Sequence, residues 1–198
     1  MPRLTRAEAQ SRNREQVLRA ARELFLRDGY HTTTLAAVAD AAGFSTGVVY
    51  SNFTGKPQLA LLVLRDIQAE QTGELQAAMA SSQAPSHLAH ALRRWAEEAL
   101  DSGWPRLELE FALDVRANPA MVAALVDWQR AASNLVAALI RTQLPASLAD
   151  ALPLPAIADA VIDLVIGFAI RRLINPAASF DGLEQLLNEA LALRAPSA

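Results

Sequence analysis

Glycine and proline cut this chain into segments whose apolar residues recur every three or four positions, and that punctuation restricts it to helices. Asp28-Gly29 closes the first segment, Gly43 interrupts the second, and Lys56-Pro57 opens a long one. Further breaks fall at 81–85, Gly103-Trp104-Pro105, Asn118-Pro119, 145–155 and Asn175-Pro176. The spacing predicts helices over 10–28, 34–42, 45–53, 57–80, 86–102, 106–117, 121–144, 156–174 and 182–194. Alanine, leucine, arginine and glutamate dominate, and strand-favouring residues are sparse. The expected fold class is all-α, with about nine helices.

The 198 residues suffice for one large domain or two small ones. The absence of cysteine excludes disulfides, cysteine-ligated zinc and thiol catalysis, and fits a reducing cytoplasm. Residues 1–10 are polar, carry Arg3 and Arg6, and have no apolar run of the kind a signal peptide needs. The most apolar window, 151–173, is interrupted by Asp159, Asp163, Arg171 and Arg172, which argues against a membrane span. A soluble cytoplasmic protein with no membrane partner is expected. The net charge of −3 conceals a split. Residues 1–65 hold nine Arg/Lys against five Asp/Glu, whereas 66–198 hold nine against sixteen. A basic head on an acidic body is the balance expected of a surface that meets phosphate.

Three short helices open the chain, with Val17, Ala20, Ala21, Leu24 and Phe25 turned inward on the first and Leu35, Val38 and Ala39 on the second. Thr34 and Ser45 are placed as N-caps, and Gly43 permits a tight turn between the second and third helices. That is a helix-turn-helix arrangement.

The run from Thr33-Thr34 through the alanine-rich second helix, Gly43, Ser45-Thr46-Gly47, Tyr50, Phe53 and Lys56 resembles the DNA-binding signature of the TetR family. The resemblance reaches back through Arg22–Tyr30 and covers about a quarter of the chain. It implies a three-helix DNA-binding domain over 1–55, followed by a larger helical domain for ligand binding and dimerisation over 56–198. It also implies a regulator, most simply a repressor released from a palindromic operator by a small molecule. Activation, or regulation without a ligand, is the alternative with the same head. The residues it assigns to double-stranded DNA are Thr34, Ser45, Thr46, Gly47, Tyr50, Ser51, Asn52 and Lys56. Residues at the start of a recognition helix reach the major groove, glycine allows close backbone approach, and lysine neutralises a phosphate. Each also has a plainer role. Thr34 and Ser45 serve as caps, Tyr50 as cover for the core edge, Lys56 as a solvated charge, and Gly47 as packing relief. Thr46 stands where relatives often carry lysine, and Ser51 and Asn52 where bulkier side chains are common. The third helix is therefore uncharged, which puts weight on Arg3, Arg6, Arg12 and Arg14 for phosphate or minor-groove contact.

A single head of this kind offers little contact, so a homodimer is expected. Ile157, Ala160, Val161, Leu164, Val165 and Phe168 form one apolar stripe, Ile162, Ile166, Ala169 and Leu173 a second, and Leu183, Leu186, Leu187, Ala190 and Leu191 follow on the last helix. Ile157, Val161, Leu164, Val165, Phe168, Leu183 and Leu187 are the interface candidates. Trp95, Trp104, Phe111, Met121, Trp128 and Phe168 are the candidates for lining an effector pocket, with Arg116, Gln129 and Asn134 as orienting groups.

No cofactor, metal or catalytic residue is expected. His87 and His90 lie three apart without a third ligand, and no phosphate loop, nucleophile elbow or triad spacing occurs. A helical enzyme is the remote alternative. Glu97, Glu98, Asp101, Glu108, Glu110 and Asp114 read most simply as a solvated acidic face.

Overall fold

The structure is a computed structural model and describes residues 5–80, 93–98, 100–179, 181–182 and 185. Eight helices with defined ends run through it: α1 (Arg6–Asp28), α2 (Leu35–Ala42), α3 (Thr46–Asn52), α4 (Lys56–Ala80), α5 (Trp104–Val115), α6 (Pro119–Thr142), α7 (Ala146–Ala151) and α8 (Leu154–Ile174). Residues 93–98 and 100–101 are also helical, and no strand occurs among the described residues. The chain is all-α, with an N-terminal helix-turn-helix followed by further helices. Residues 86–92 and 99 of the expected helix over 86–102, and most of that over 182–194, lie outside the described residues, as do Arg3, His87, His90, Leu183 and Leu187. No helix among the described residues is long and apolar enough to cross a membrane.

Local chemistry moves several helix ends. α1 begins at Arg6, four residues before the expected start, because Thr5 and Glu8 form a capping box. The Glu8 N–H donates to Thr5 Oγ1 at 3.3 Å, and the Thr5 N–H donates to Glu8 Oε2 at 2.7 Å. α2 ends at Gly43 in the left-handed conformation (φ 75°), whose N–H closes onto the Ala39 and Asp40 carbonyls. α5 starts at Trp104, since Pro105 is tolerated in a first turn. The 145–155 segment, expected as a break, holds the short helix α7 between Pro145 and Pro153.

The chain divides into two compact units, Met1–Thr72 with Ser102–Ala132, and Gly73–Asp101 with Ser133–Ala198. In the first, one core joins Val17, Ala21 and Phe25 of α1 to Val38 and Ala39 of α2, Val49 of α3, Leu59, Val63 and Leu64 of α4, and Leu107 and Phe111 of α5. Leu24 and Val38, expected to turn inward, are buried, and so are Val49 and Phe53.

α5 also grips the end of α1 through polar side chains one turn apart. Arg106 donates to the Leu26 and Arg27 carbonyls at 2.9 and 3.3 Å, meeting acceptors that a helix C-terminus leaves open. Glu110 accepts from the Tyr30 and His31 N–H groups at 2.6 and 3.3 Å, and the Tyr30 hydroxyl donates to Asp114. Gly103 lets α5 come this close, since a Cβ there would lie 3.0 Å from the Leu26 carbonyl oxygen.

In the second unit, Phe168 of α8 is buried against Ala96, with Trp95 and Leu100 packed around them. Arg172–Asp101 (2.7 Å), Arg141–Asp150 (2.8 Å) and a Ser133–Asp159 hydrogen bond (2.5 Å) link its helices and turns.

Candidate nucleic-acid interface

α2, the Gly43 turn and α3 form the helix-turn-helix. Thr34 caps α2 by accepting the Ala37 N–H at 3.1 Å. Ser45 occupies the N-cap position of α3 but makes no side-chain capping bond, which leaves its hydroxyl exposed and uncommitted to the helix. Helical spacing places Thr46, Gly47, Tyr50 and Ser51 on one side of α3, and all four are exposed. Val49 on the opposite side is fully buried and anchors the helix to the core.

Two of the plainer roles lose ground here. Tyr50 is 61% exposed, so it does not cover the core edge. A Cβ on Gly47 would meet only Ser45 Oγ, at an ordinary 3.7 Å, so packing within the chain does not require glycine.

Three members of the set, Ser51, Asn52 and Lys56, also donate to backbone carbonyls of the chain itself. Ser51 Oγ and Asn52 Nδ2 both donate to the Val48 carbonyl at 2.8 Å. Arg14 donates to the Asn52 carbonyl at 2.9 Å, and its guanidinium lies 4.7 Å from the centroid of the Phe53 ring. Arg14 thus fastens α1 to the end of α3, while Arg6 and Arg12 on α1 stay exposed. Lys56 Nζ donates to the His31 carbonyl at 3.2 Å and sits 4.3 Å above the Tyr30 ring centroid. Partial burial pushes the Lys56 ammonium below its ordinary range, opposed by Asp114 and Glu110. Lys56 is therefore an internal tie as well as a half-exposed cation, a double use that its position in the motif does not announce.

The candidate effector residues fall into two groups. Trp104, Phe111, Met121 and Trp128 belong to the first unit, where Phe111 is wholly buried and packs edge-on to Tyr30 at 5.7 Å between ring centroids. Trp95 and Phe168 belong to the second. Arg116, Gln129 and Asn134 are exposed, and Arg116 donates back to the Leu113 carbonyl.

The acidic run is not a uniformly solvated face. Glu97 and Glu98 pair with Arg93 and Arg94, Asp101 with Arg172, and Glu110 and Asp114 bind the turn after α1. Glu108 is half-buried, and desolvation pushes its carboxyl up to about 7. Its place in the apolar rhythm of Trp104, Phe111 and Val115 is the signal that charge composition hides.

Among the interface candidates on α8, Val161 and Leu164 are 41% and 40% exposed. Ile157 and Val165 are half-buried, and Phe168 is buried within its own unit.

Residues 17–63, which hold the helix-turn-helix, match the family model described as bacterial regulatory proteins, tetR family. The chain is 26% identical over 185 residues to the HTH-type transcriptional repressor AcnR of Corynebacterium glutamicum, covering 89% of each. Its fold is similar to that of a transcriptional regulator from Pseudomonas aeruginosa PAO1 (TM-score 0.70, 18% identity, 96% of this chain and 94% of that one). It is likewise similar to Thermus thermophilus FadR, a repressor solved with lauroyl-CoA (TM-score 0.63, 24% identity, 93% and 98%). With its head matched by the family model and most of its length by a curated repressor at 26% identity, the chain is similar to the TetR-family DNA-binding transcriptional regulators.

Proposed function

We propose that the chain is a homodimeric cytoplasmic repressor, with no catalytic activity of its own, that leaves its operator when a small molecule enters the body. Residues 1–55 act as the DNA-binding head and 56–198 as the ligand-binding and dimerisation part. The observation that carries this reading is the exposed face of α3. Thr46, Gly47, Tyr50 and Ser51 lie open around a helix pinned from behind by Val49. An exposed tyrosine beside an exposed helical glycine has no use inside the chain, and both suit a helix laid in the major groove.

Thr34, Ser45, Asn52 and Lys56 complete the contact set at the edges of that face, where phosphates run. Lys56 would exchange its bond to the His31 carbonyl for a phosphate on binding. Repression, rather than activation, is favoured by the likeness to AcnR, which spans most of both chains. A small-molecule effector is favoured by the likeness to FadR, solved with lauroyl-CoA, and by the aromatic side chains of the body.

Val161 and Leu164 supply an uncovered apolar strip for self-association, extended by Ile157 and Val165. A two-fold dimer sets its recognition helices about 34 Å apart, one turn of DNA. An effector that favours the unbound spacing by about 1–3 kcal/mol lowers operator affinity about five- to 150-fold.

The test is selection of bound duplexes from a random library at moderate salt. A two-fold symmetric site with half-sites one turn apart is the expected product. Recovery of nothing above background would remove the operator-reading function.

A further inference from the structure

The helix-turn-helix carries almost no charge. Residues 33–55 hold no lysine or arginine, and their one acid is Asp40. That inventory limits what a base edge can meet. In the major groove guanine is gripped by arginine or lysine at O6 and N7, adenine by the paired donor and acceptor of asparagine or glutamine, and cytosine by a carboxylate. The guanine-gripping residues are missing from the segment altogether. The carboxylate stands on α2, the helix that in such a motif crosses the backbone instead of entering the groove. An amide is present once on α3, as Asn52, and it is already engaged. Its Nδ2 donates to the Val48 carbonyl at 2.8 Å and to Ser51 Oγ at 3.2 Å. Arg14 reaches the end of α3, but its guanidinium is committed to the Asn52 carbonyl and the Phe53 ring.

The open face of α3 offers methyl, ring and hydroxyl instead. Thr46 and Tyr50 stand one turn apart on it, both exposed, and Gly47 beside them adds no side chain. Neither side chain hydrogen-bonds to another part of the chain among the described residues. A threonine methyl and an aromatic ring are thus held open to solvent on a helix that Val49 pins to the core. Thymine is the base whose mark in the major groove is apolar, its C5-methyl group, and apolar side chains are what recognise it. The hydroxyls of Ser45, Thr46 and Tyr50 add single hydrogen bonds. Such bonds suit several bases and phosphates alike, so they contribute affinity more than choice.

We propose that the protein selects its operator through thymine C5-methyl groups, met by the Thr46 methyl and the Tyr50 ring, with no guanine gripped by a side chain of α3. This rests on the reading of α3 as a recognition helix and names the base chemistry that it selects.

The experiment uses the full chain and the duplex obtained by selection, with affinity read by anisotropy at one fixed salt concentration. Thymines are replaced one at a time by deoxyuridine, which lacks only the methyl, and guanines by 7-deazaguanine, which lacks the N7 acceptor. At least one thymine in each half-site should show a loss of about three- to fivefold on losing its methyl, the worth of one buried apolar carbon. Replacing a half-site guanine should cost less than about twofold. These changes lie in the DNA, so folding of the protein does not enter. Thr46→Ser keeps the hydroxyl and should erase the deoxyuridine penalty at one thymine of each half-site. Tyr50→Phe keeps the ring, so binding should weaken while every deoxyuridine penalty persists.

A larger loss from 7-deazaguanine than from deoxyuridine, no deoxyuridine penalty at any half-site thymine, or every penalty intact in Thr46→Ser would overturn the proposal. Any of these on a two-fold symmetric site would leave the operator-reading function standing and remove only the thymine readout. Selection that recovers no site would remove both.

Discussion

The Tyr30 hydroxyl donates to an Asp114 carboxylate oxygen at 2.7 Å, fastening the turn that leads into the helix-turn-helix to α5. Tyr30 is 2% exposed, stacks edge-on against Phe111, and lies beneath the Lys56 ammonium. One side chain thus meets a core ring, a carboxylate and a cation. Burial and the Asp114 bond both push the phenol well above its ordinary range.

Tyr30→Phe keeps the ring packing and deletes one hydrogen bond to a carboxylate that solvent still reaches. The expected cost is about 1 kcal/mol, or a fall of about 2–4 °C in melting temperature. Because the folded phenol holds its proton more tightly than the unfolded one, its contribution is complete below the ordinary tyrosine value and declines as pH rises above it. Melts at neutral and alkaline pH check this: the difference between wild type and Tyr30→Phe should shrink in alkali.

Glu108 has the same sign at a more accessible pH. Its folded carboxyl is raised to about 7, so the stability tied to its proton is complete below the ordinary glutamate value and is lost as pH rises through 7. The loss amounts to at most about 3 kcal/mol. Glu108→Gln should therefore be more stable than wild type at about pH 8 and should flatten the pH dependence of denaturant midpoints between about pH 5 and pH 8. An unchanged profile would mean that water reaches the carboxyl.

Gly47→Ala separates folding from recognition. The added methyl meets nothing nearer than 3.7 Å, and alanine favours a helix over glycine by up to about 1 kcal/mol. The variant should melt at or above wild type and yet bind the selected duplex at least about tenfold more weakly, because the methyl stands where DNA approaches. Tyr50→Phe should weaken the same duplex without altering the melt.

Lys56→Ala carries two separable outcomes. Losing the bond to the His31 carbonyl and the contact with Tyr30 should lower stability by about 1 kcal/mol. Losing a phosphate contact should make the plot of log affinity against log salt shallower by about one unit. A stability loss with an unchanged slope would leave Lys56 as an internal tie only.

Val161→Arg places a charge on the uncovered strip of α8. Sedimentation should show a shift from dimer to monomer, with a large loss of operator affinity. A dimer that survives would move the interface off this strip.

The helix-turn-helix was legible because its chemistry is local. Thr34 caps, Gly43 turns left-handed, and Val38, Val49 and Phe53 fall on the inner side by spacing alone. The early start of α1 was legible too, since Thr5 and Glu8 are a threonine and a glutamate three apart, but the signal stands outside the apolar rhythm and is easily passed over. The roles of Lys56, Glu108, Glu110 and Asp114 were not legible. Each depends on contacts made across some 25 to 80 residues of chain, or on burial that a local charge count cannot register.

α3 carries no formal charge between Thr46 and Asn52, while the exposed arginines of the head stand on α1. On the proposed reading, attraction to the polyanion and choice of bases fall to different helices. Substitutions confined to that seven-residue segment would then redirect the protein to a new operator while its grip on bulk DNA stayed constant. A lineage built this way diversifies its targets without first losing its hold on the genome.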